Sequence, residues 1–286
     1  MGVDPKDIKV LREKTGAGIM DCKKALTEAG GDFDKAVKYL REKGLAEATK
    51  RSGREAKEGI ITVMSADDRS EILMVEVNCE TDFVSRTDKY RDFVNDIAAL
   101  LLEKGTETAD KLPEEAADKV KEAISVFGEN IITRKVVRFV KSDAKKSVFQ
   151  SYIHLDGKAG VIAEFILEDE GSSDKPDFSE FAKNVVLQIA SMSPKSVSQE
   201  DFPEEVLNEQ REIFTTQAKQ SGKPDNIIEK MVMGRIGKFL SENCLLKQKY
   251  VKDGDLSVEK YLRSVEERIG SAITIERFAR FKLGEE

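Results

Sequence analysis

Residues 59–140 and 147–283 spell out the same succession of elements twice, and this repetition constrains the fold more than any single motif. In the first stretch the apolar period is two. Residues 60–64 and 71–77 alternate on either side of Ser65-Ala66-Asp67-Asp68-Arg69, the pattern of a β-hairpin. Ile72, Met74 and Glu76 point one way, and Leu73, Val75 and Val77 the other. The period then turns helical. Tyr90, Phe93, Val94, Ile97, Ala98 and Leu101 share a face behind Thr87 as N-cap. After a loop over 105–111, a second helix over 113–127 turns Ala117, Val120, Ile124 and Phe127 inward, and residues 130–140 close the unit as a strand. In the second stretch, 147–154 and 161–167 flank the turn dipeptide Asp156-Gly157. A helix carrying Phe178, Phe181, Ala182, Val185 and Ile189 follows, and a helix over 257–269 leads into a strand over 272–283. The closing strands overlay, with Gly128, Ile131, Arg138 and Phe139 falling on Gly270, Ile273, Arg280 and Phe281. The helices overlay too, Phe93-Val94 on Phe181-Ala182. The identities are few, and the order of elements carries the argument. The expected fold class is α+β, with a core of two duplicated antiparallel sheet-plus-helix subdomains.

Two further pieces attach to this core. Residues 1–54 read as a three-helix module. Asp4-Pro5 is an N-cap with proline at the first helical position, and Ile8 and Leu11 supply the apolar face. Thr15-Gly16-Ala17-Gly18 breaks the chain before a helix with Ile19, Cys22, Ala25 and Leu26, which stops at Gly30-Gly31. The third helix starts at Asp32, presents Phe33, Ala36, Val37 and Leu40, and is expected to end at Lys43-Gly44. The charged stretch 47–58 then reads as helix end and linker. The second piece is an insertion. Helices over 203–220 and 224–241, joined by Ser221-Gly222-Lys223, must pack antiparallel as a hairpin. Val206, Ile213 and Phe214 line one arm, and Ile228, Val232, Ile236 and Phe239 the other. The expected division is 1–54 for the module, 55–145 for the first subdomain, 146–192 with 246–286 for the second, and 193–245 for the hairpin. The hairpin is either a solubilising decoration or a contact arm for a second copy or a partner.

The chemistry in the chain is sparse. His154 is the single histidine, so no paired-histidine metal motif exists, and any nucleophile would depend on that one base. Cys22, Cys79 and Cys244 are odd in number and far apart, which fits buried free thiols in a reducing cytoplasm. The glycine pairs at 16–18 and 157–160 match neither a Walker loop nor a dinucleotide fingerprint. No cofactor and no metal are expected. With 47 basic and 54 acidic residues the net charge is −7, which argues against a phosphate backbone as the main ligand. Residues 1–54 reverse the sign locally, with 13 Lys and Arg against 9 Asp and Glu, so the module suits an acidic partner surface. No apolar run is long enough to span a membrane. A binding role therefore outranks an enzymatic one.

The connection between the strand over 71–77 and the helix behind Thr87 places an acid beside an aromatic, Asp82-Phe83. From residue types alone the bland reading is favoured: Asp82 satisfies backbone N–H groups of the turn, and Phe83 belongs to the core. A rigid strand and a rigid helix could equally hold that corner out toward a partner.

Four motifs, in order along the chain, resemble the bacterial elongation factor Ts family. They are Leu11-Arg12-Glu13-Lys14-Thr15-Gly16-Ala17-Gly18-Ile19-Met20-Asp21-Cys22-Lys23-Lys24-Ala25-Leu26; Val77-Asn78-Cys79-Glu80-Thr81-Asp82-Phe83-Val84; Tyr152-Ile153-His154 with Gly160-Val161; and Gln220-Ser221-Gly222-Lys223-Pro224. The resemblance implies a ubiquitin-associated-type N-terminal module and a guanine-nucleotide exchange factor for elongation factor Tu. It implies that Leu11, Arg12, Ile19 and Met20 dock on a helix of that GTPase. It further implies that Phe83, within Thr81-Asp82-Phe83-Val84, wedges into the GTPase and that His154 touches it from the second subdomain. A homodimer through the hairpin remains open, and direct nucleic-acid or membrane binding is not expected. Two departures stand out. Ile19 replaces a methionine often found there, and no extra C-terminal helix follows Phe281-Lys282-Leu283. The rival from another class is a helical adaptor that binds ubiquitin-like or nascent-chain partners. A third, an enzyme resting on His154, has no nameable substrate pocket.

Overall fold

Asp4 starts the first helix by accepting the Lys6 N–H on Oδ1 at 2.8 Å, with Pro5 already held at a helical φ. The computed structural model describes residues 3–142 and 146–285. Helix α1 (Pro5–Thr15) ends on Gly16 at φ 67°, and α2 (Ile19–Glu28) follows. Leu11, Cys22, Ala25, Leu26 and Ala36 form the module's small buried core. Helix α3 (Phe33–Arg51) corrects one expectation, because it does not stop at Gly44 but runs on to Arg51. Gly44 lies where α3 packs against a helix of the first subdomain, and a Cβ there would overlap the Ser125 side chain. The glycine permits a close helix–helix approach and does not terminate the helix.

The first subdomain pairs β1 (Glu58–Ser65) with β2 (Glu71–Cys79) as an antiparallel hairpin. A one-turn helix, α4 (Asp82–Ser85), leads into α5 (Asp88–Glu103), whose N-cap Thr87 accepts the Tyr90 N–H at 3.2 Å. Helix α6 (Glu114–Phe127) and β3 (Ile132–Val140) complete the sheet in the order β1-β2-β3. Leu73, Val75 and Val77 bury against Tyr90, Val94, Ile97, Ala98 and Leu101, as their alternation and spacing require. Helix α6 buries Ala116, Ala123 and Ile124, while Ala117, Val120 and Phe127 are only half-buried. Its apolar stripe is shared between α5 on one side and α3 on the other.

The second subdomain repeats the plan. Strands β4 (Ser147–His154) and β5 (Ala159–Leu167) turn through Leu155, Asp156 and Gly157, all at positive φ. Helix α7 (Pro176–Met192) buries Phe178, Phe181, Ala182, Val185 and Ile189. The hairpin α8 (Glu204–Lys219) and α9 (Asp225–Asn243) packs its two arms together, then a small ribbon of β6 (Lys249–Tyr250) and β7 (Asp253–Ser257) follows. In the hairpin, Val206, Ile236 and Phe239 pack with Phe202, Leu207, Leu240 and Cys244, whereas Ile213 is left exposed. Helix α10 (Val258–Ile269) and β8 (Ile273–Lys282) close the sheet in the order β4-β5-β8.

The sheets carry their helices on outer faces and meet each other on inner ones. Ile61, Ile72, Met74, Phe139 and Ile162 fill that junction. A Cβ on Gly160 would stand 2.7 Å from Ile61 Cγ2 and 2.8 Å from Met74 Sδ, so glycine sets the spacing. The duplication extends to backbone irregularities. The β2–β3 register slips after Glu76 and the β5–β8 register slips after Glu164, and the same interval separates these glutamates as separates Phe93 from Phe181. Gly128 and Gly270 both end the preceding helix in the left-handed conformation.

Candidate functional site

Phe83 is 84% exposed, against the reading from residue types that placed it in the core. The physical reason is local. Helix α4 has one turn, Val84 and Ser85 occupy its inward side, and Phe83 is left facing water. Asp82 also departs from its expected turn-capping task. Its Oδ2 pairs with the Arg86 guanidinium one turn later at 2.8 Å. Behind the corner, Thr87 donates its hydroxyl to the Val84 carbonyl at 2.8 Å while capping α5, so the short helix is stitched to the long one.

The base of the corner rests on a residue that motif reading missed. Glu129 Oε2 accepts the N–H groups of Glu80 and Thr81, both at 3.0 Å, and Oε1 accepts the Thr81 hydroxyl at 2.5 Å. Glu80 reciprocates by accepting the Asn130 N–H at 2.6 Å. Asn130 Nδ2 donates to the Arg54 carbonyl at 2.7 Å, and the Arg54 guanidinium reaches Glu80 Oε2 at 3.4 Å. The end of β2, the start of β3 and the exit from the N-terminal module thus share one clasp.

No nucleophile is prepared beside this corner. Burial pushes the Cys79 thiol up to about 11, and it donates to the Thr81 carbonyl at 3.2 Å. Burial likewise raises Tyr90, whose hydroxyl donates to the Val77 carbonyl at 3.0 Å. Cys22 and Cys244 are also buried free thiols, raised chiefly by desolvation. Among the described residues no group of three or more His, Cys, Asp or Glu is placed to hold a metal ion. Among them, too, no helix is long and apolar enough to cross a membrane.

The remaining expected site residues fall on three other elements. Ile19 and Met20, 54% and 73% exposed, occupy the first turn of α2, and Arg12 is exposed on the last turn of α1. Leu11 is a correction. It is fully buried among Cys22, Ala25 and Leu26, so it supports the module and cannot present its side chain to a partner. Val10, half exposed on the same helix, went unnoticed because it lies off the apolar stripe. His154 is exposed at the end of β4, with Nδ1 2.8 Å from the Tyr152 hydroxyl and the exposed Leu155 next along the chain. A cleft of about 560 Å³ separates the module from α5 and α6, lined by Val37, Leu40, Phe93 and Phe127 together with Arg41 and Asp96.

These features define a class first: an α+β protein of two duplicated halves that presents exposed apolar side chains on stiff supports. The particular family follows from comparison. The sequence model described as Elongation factor TS matches residues 80–285. Elongation factor Ts of Clostridium perfringens (strain SM101 / Type A) is 44% identical over 290 residues, covering 99% of this chain and 93% of the relative. Elongation factor Ts of Clostridium botulinum (strain Loch Maree / Type A3) is 41% identical over 292 residues, with the same coverage. The chain belongs to the elongation factor Ts family.

Proposed function

We infer that the protein is a guanine-nucleotide exchange factor for elongation factor Tu in translation elongation, working without a covalent step. A factor that binds the nucleotide-free GTPase more tightly than the GDP-bound form must, by linkage, weaken GDP by the same ratio. Each 1.4 kcal/mol of that preference is worth about tenfold. Phe83, with Asp82 and Val84 beside it, enters between packed elements of the GTPase and displaces groups that hold Mg²⁺ and the phosphates. Arg12, Ile19 and Met20 on the module, and His154 on the second sheet, supply binding free energy for that distortion. The observation that carries this reading is the large exposed aromatic on a single helical turn fixed between β2 and α5.

The reading divides the labour among the pieces of the chain. Residues 1–54 dock, 55–145 pry, and 146–192 with 246–286 brace. The excess of basic residues in 1–54 suits an acidic partner face. The hairpin, 193–245, leaves Ile213, Ile227 and Met233 exposed and offers a surface for a second copy of the chain. Its place of work is the cytoplasm, where its partner acts, with no nucleic acid or membrane engaged directly.

Stopped-flow release of a fluorescent GDP from elongation factor Tu tests the central step. A buried aromatic anchor costs about 2 kcal/mol when truncated, so Phe83→Ala should slow catalysed release at least about tenfold. The melting temperature should barely change, because Phe83 is 84% exposed in the free protein. A wild-type release rate would remove Phe83 from the mechanism.

A further inference from the structure

We propose that Glu129 is the positioning residue for the Phe83 corner, the group that turns an exposed aromatic into a stiff lever. This rests on the exchange reading above. A single helical turn is not self-supporting, since nucleation fixes several residues for one hydrogen bond. The N-cap of α4 gives no help of its own, because the Thr81 side chain makes no capping bond to the turn. Its hydroxyl goes to Glu129, which also takes the backbone N–H groups of Thr81 and Glu80. One carboxylate therefore holds two backbone N–H groups and one hydroxyl immediately before Asp82-Phe83. Glu129 is anchored in turn, directly after Gly128 at the end of α6 and next to Asn130, which returns a bond to Glu80.

The duplicated half serves as an internal control. At the intervals that align the two sheets, Glu129 corresponds to Ser271, Thr81 to Asp169, and Phe83 to Gly171. The same join is present there. The Asp169 N–H donates to Ser271 Oγ at 3.1 Å, and the Glu168 N–H goes to the Ala272 carbonyl at 3.2 Å. One hydroxyl and one backbone carbonyl hold the two N–H groups where no aromatic projects. The half that bears Phe83 has an anion with three donors in the same place. Strand continuity alone needs only the simpler version, so the anionic acceptor and its third bond, to the Thr81 hydroxyl, serve the corner.

Catalysed GDP release from elongation factor Tu, read by stopped flow with the full-length protein, separates the alternatives. The set comprises Phe83→Ala, Glu129→Ala, Glu129→Gln, the double Phe83→Ala/Glu129→Ala, and Ser271→Ala. Glu129→Ala should lower the maximal release rate about tenfold, more than it weakens binding to the nucleotide-free GTPase. Glu129→Gln, which keeps one acceptor oxygen, should fall between Glu129→Ala and wild type and covers the case in which the alanine variant folds poorly. Ser271→Ala should match wild type. The double variant should be no slower than Phe83→Ala alone, because the two residues act through one lever. If Phe83→Ala slows release and Glu129→Ala does not, the positioning role is wrong and the exchange reading stands. Additive losses in the double variant, or an equal loss in Ser271→Ala, would also overturn it. If Phe83→Ala itself has no effect, the wedge and the role assigned to Glu129 fall together.

Discussion

The two halves of the core share a backbone plan and differ at the corner that follows the second strand of each. After β2 the chain reads Thr81-Asp82-Phe83 and makes a helical turn that projects an aromatic ring. After β5 it reads Asp169-Glu170-Gly171, where Asp169 closes the turn on itself by accepting the Gly171 N–H at 3.3 Å and the Ser172 hydroxyl at 3.1 Å. Identical strand order, matching bulges and matching helix ends show that the scaffold alone does not create the surface. A few side chains at one strand end replace a closed turn with an exposed aromatic.

The difference can be broken deliberately. Replacing Thr81-Asp82-Phe83 with the second half's Asp-Glu-Gly should cost the largest effect, about a hundredfold in catalysed GDP release, with the fold retained. A rate within a factor of three of wild type would show that the corner's identity is irrelevant. The inner faces offer a second contrast. Glu164 accepts the Ser147 hydroxyl and the Arg277 guanidinium, both at 2.6 Å. Its counterpart Glu76 is equally buried, yet neither carboxylate oxygen has a hydrogen-bond partner. Lys135, opposite Glu76 in the register, donates instead to the Glu285 carbonyl and lies 5.9 Å from the Phe281 ring. Glu164→Leu should therefore lose about 2 kcal/mol in urea denaturation. Glu76→Leu should lose nothing or gain about 1 kcal/mol. Equal losses would mean that the halves do not differ there.

A third contrast is read by pH. Cys79 corresponds to Leu167, so only the first half carries a thiol at that step. Its pKa is raised from 9.0 to about 11 by burial. Above 9.0 the unfolded chain gives up this proton while the folded one keeps it, so the unfolded state binds fewer protons and stability falls as pH rises. The contribution is complete below 9.0 and is lost as pH passes through 11. Wild type should lose on the order of 1–2 kcal/mol relative to Cys79→Ala over that window. Parallel curves for the two proteins would show that the thiol is not held neutral by the fold. The smallest effect belongs to His154→Ala. It should weaken binding to the GTPase about threefold and leave the maximal exchange rate unchanged, since an exposed contact contributes less than a buried anchor.

Much of this architecture is legible in the sequence. The alternation of Leu73, Val75 and Val77 and the spacing of Tyr90, Val94 and Ile97 specify both partners of the first core. The offset that aligns Phe93 with Phe181 also aligns Glu76 with Glu164, which places the two bulges in register. Other features depend on contacts far apart in the chain. Gly44 has the sequence context of a helix end, and only the arrival of Ser125 reveals a packing glycine. Phe83 has the residue type of a core side chain, and its exposure follows from which side of one turn Val84 takes. Leu11 stands within a motif of the family, but its place on the apolar stripe of α1 turns it inward. Glu129 carries no motif. Its meaning lies in three donors some fifty residues upstream.

The central claim is that the residue at position 83 enters the GTPase beside its nucleotide site. A photoreactive benzoylphenylalanine in place of Phe83, irradiated in the complex with nucleotide-free elongation factor Tu and mapped by mass spectrometry, tests it directly. Cross-links should fall in the GTP-binding domain next to the Mg²⁺ and phosphate loops and should vanish when excess GDP dissociates the complex. An intact complex whose position 83 reacts only with solvent, or with a surface remote from those loops, would contradict the account.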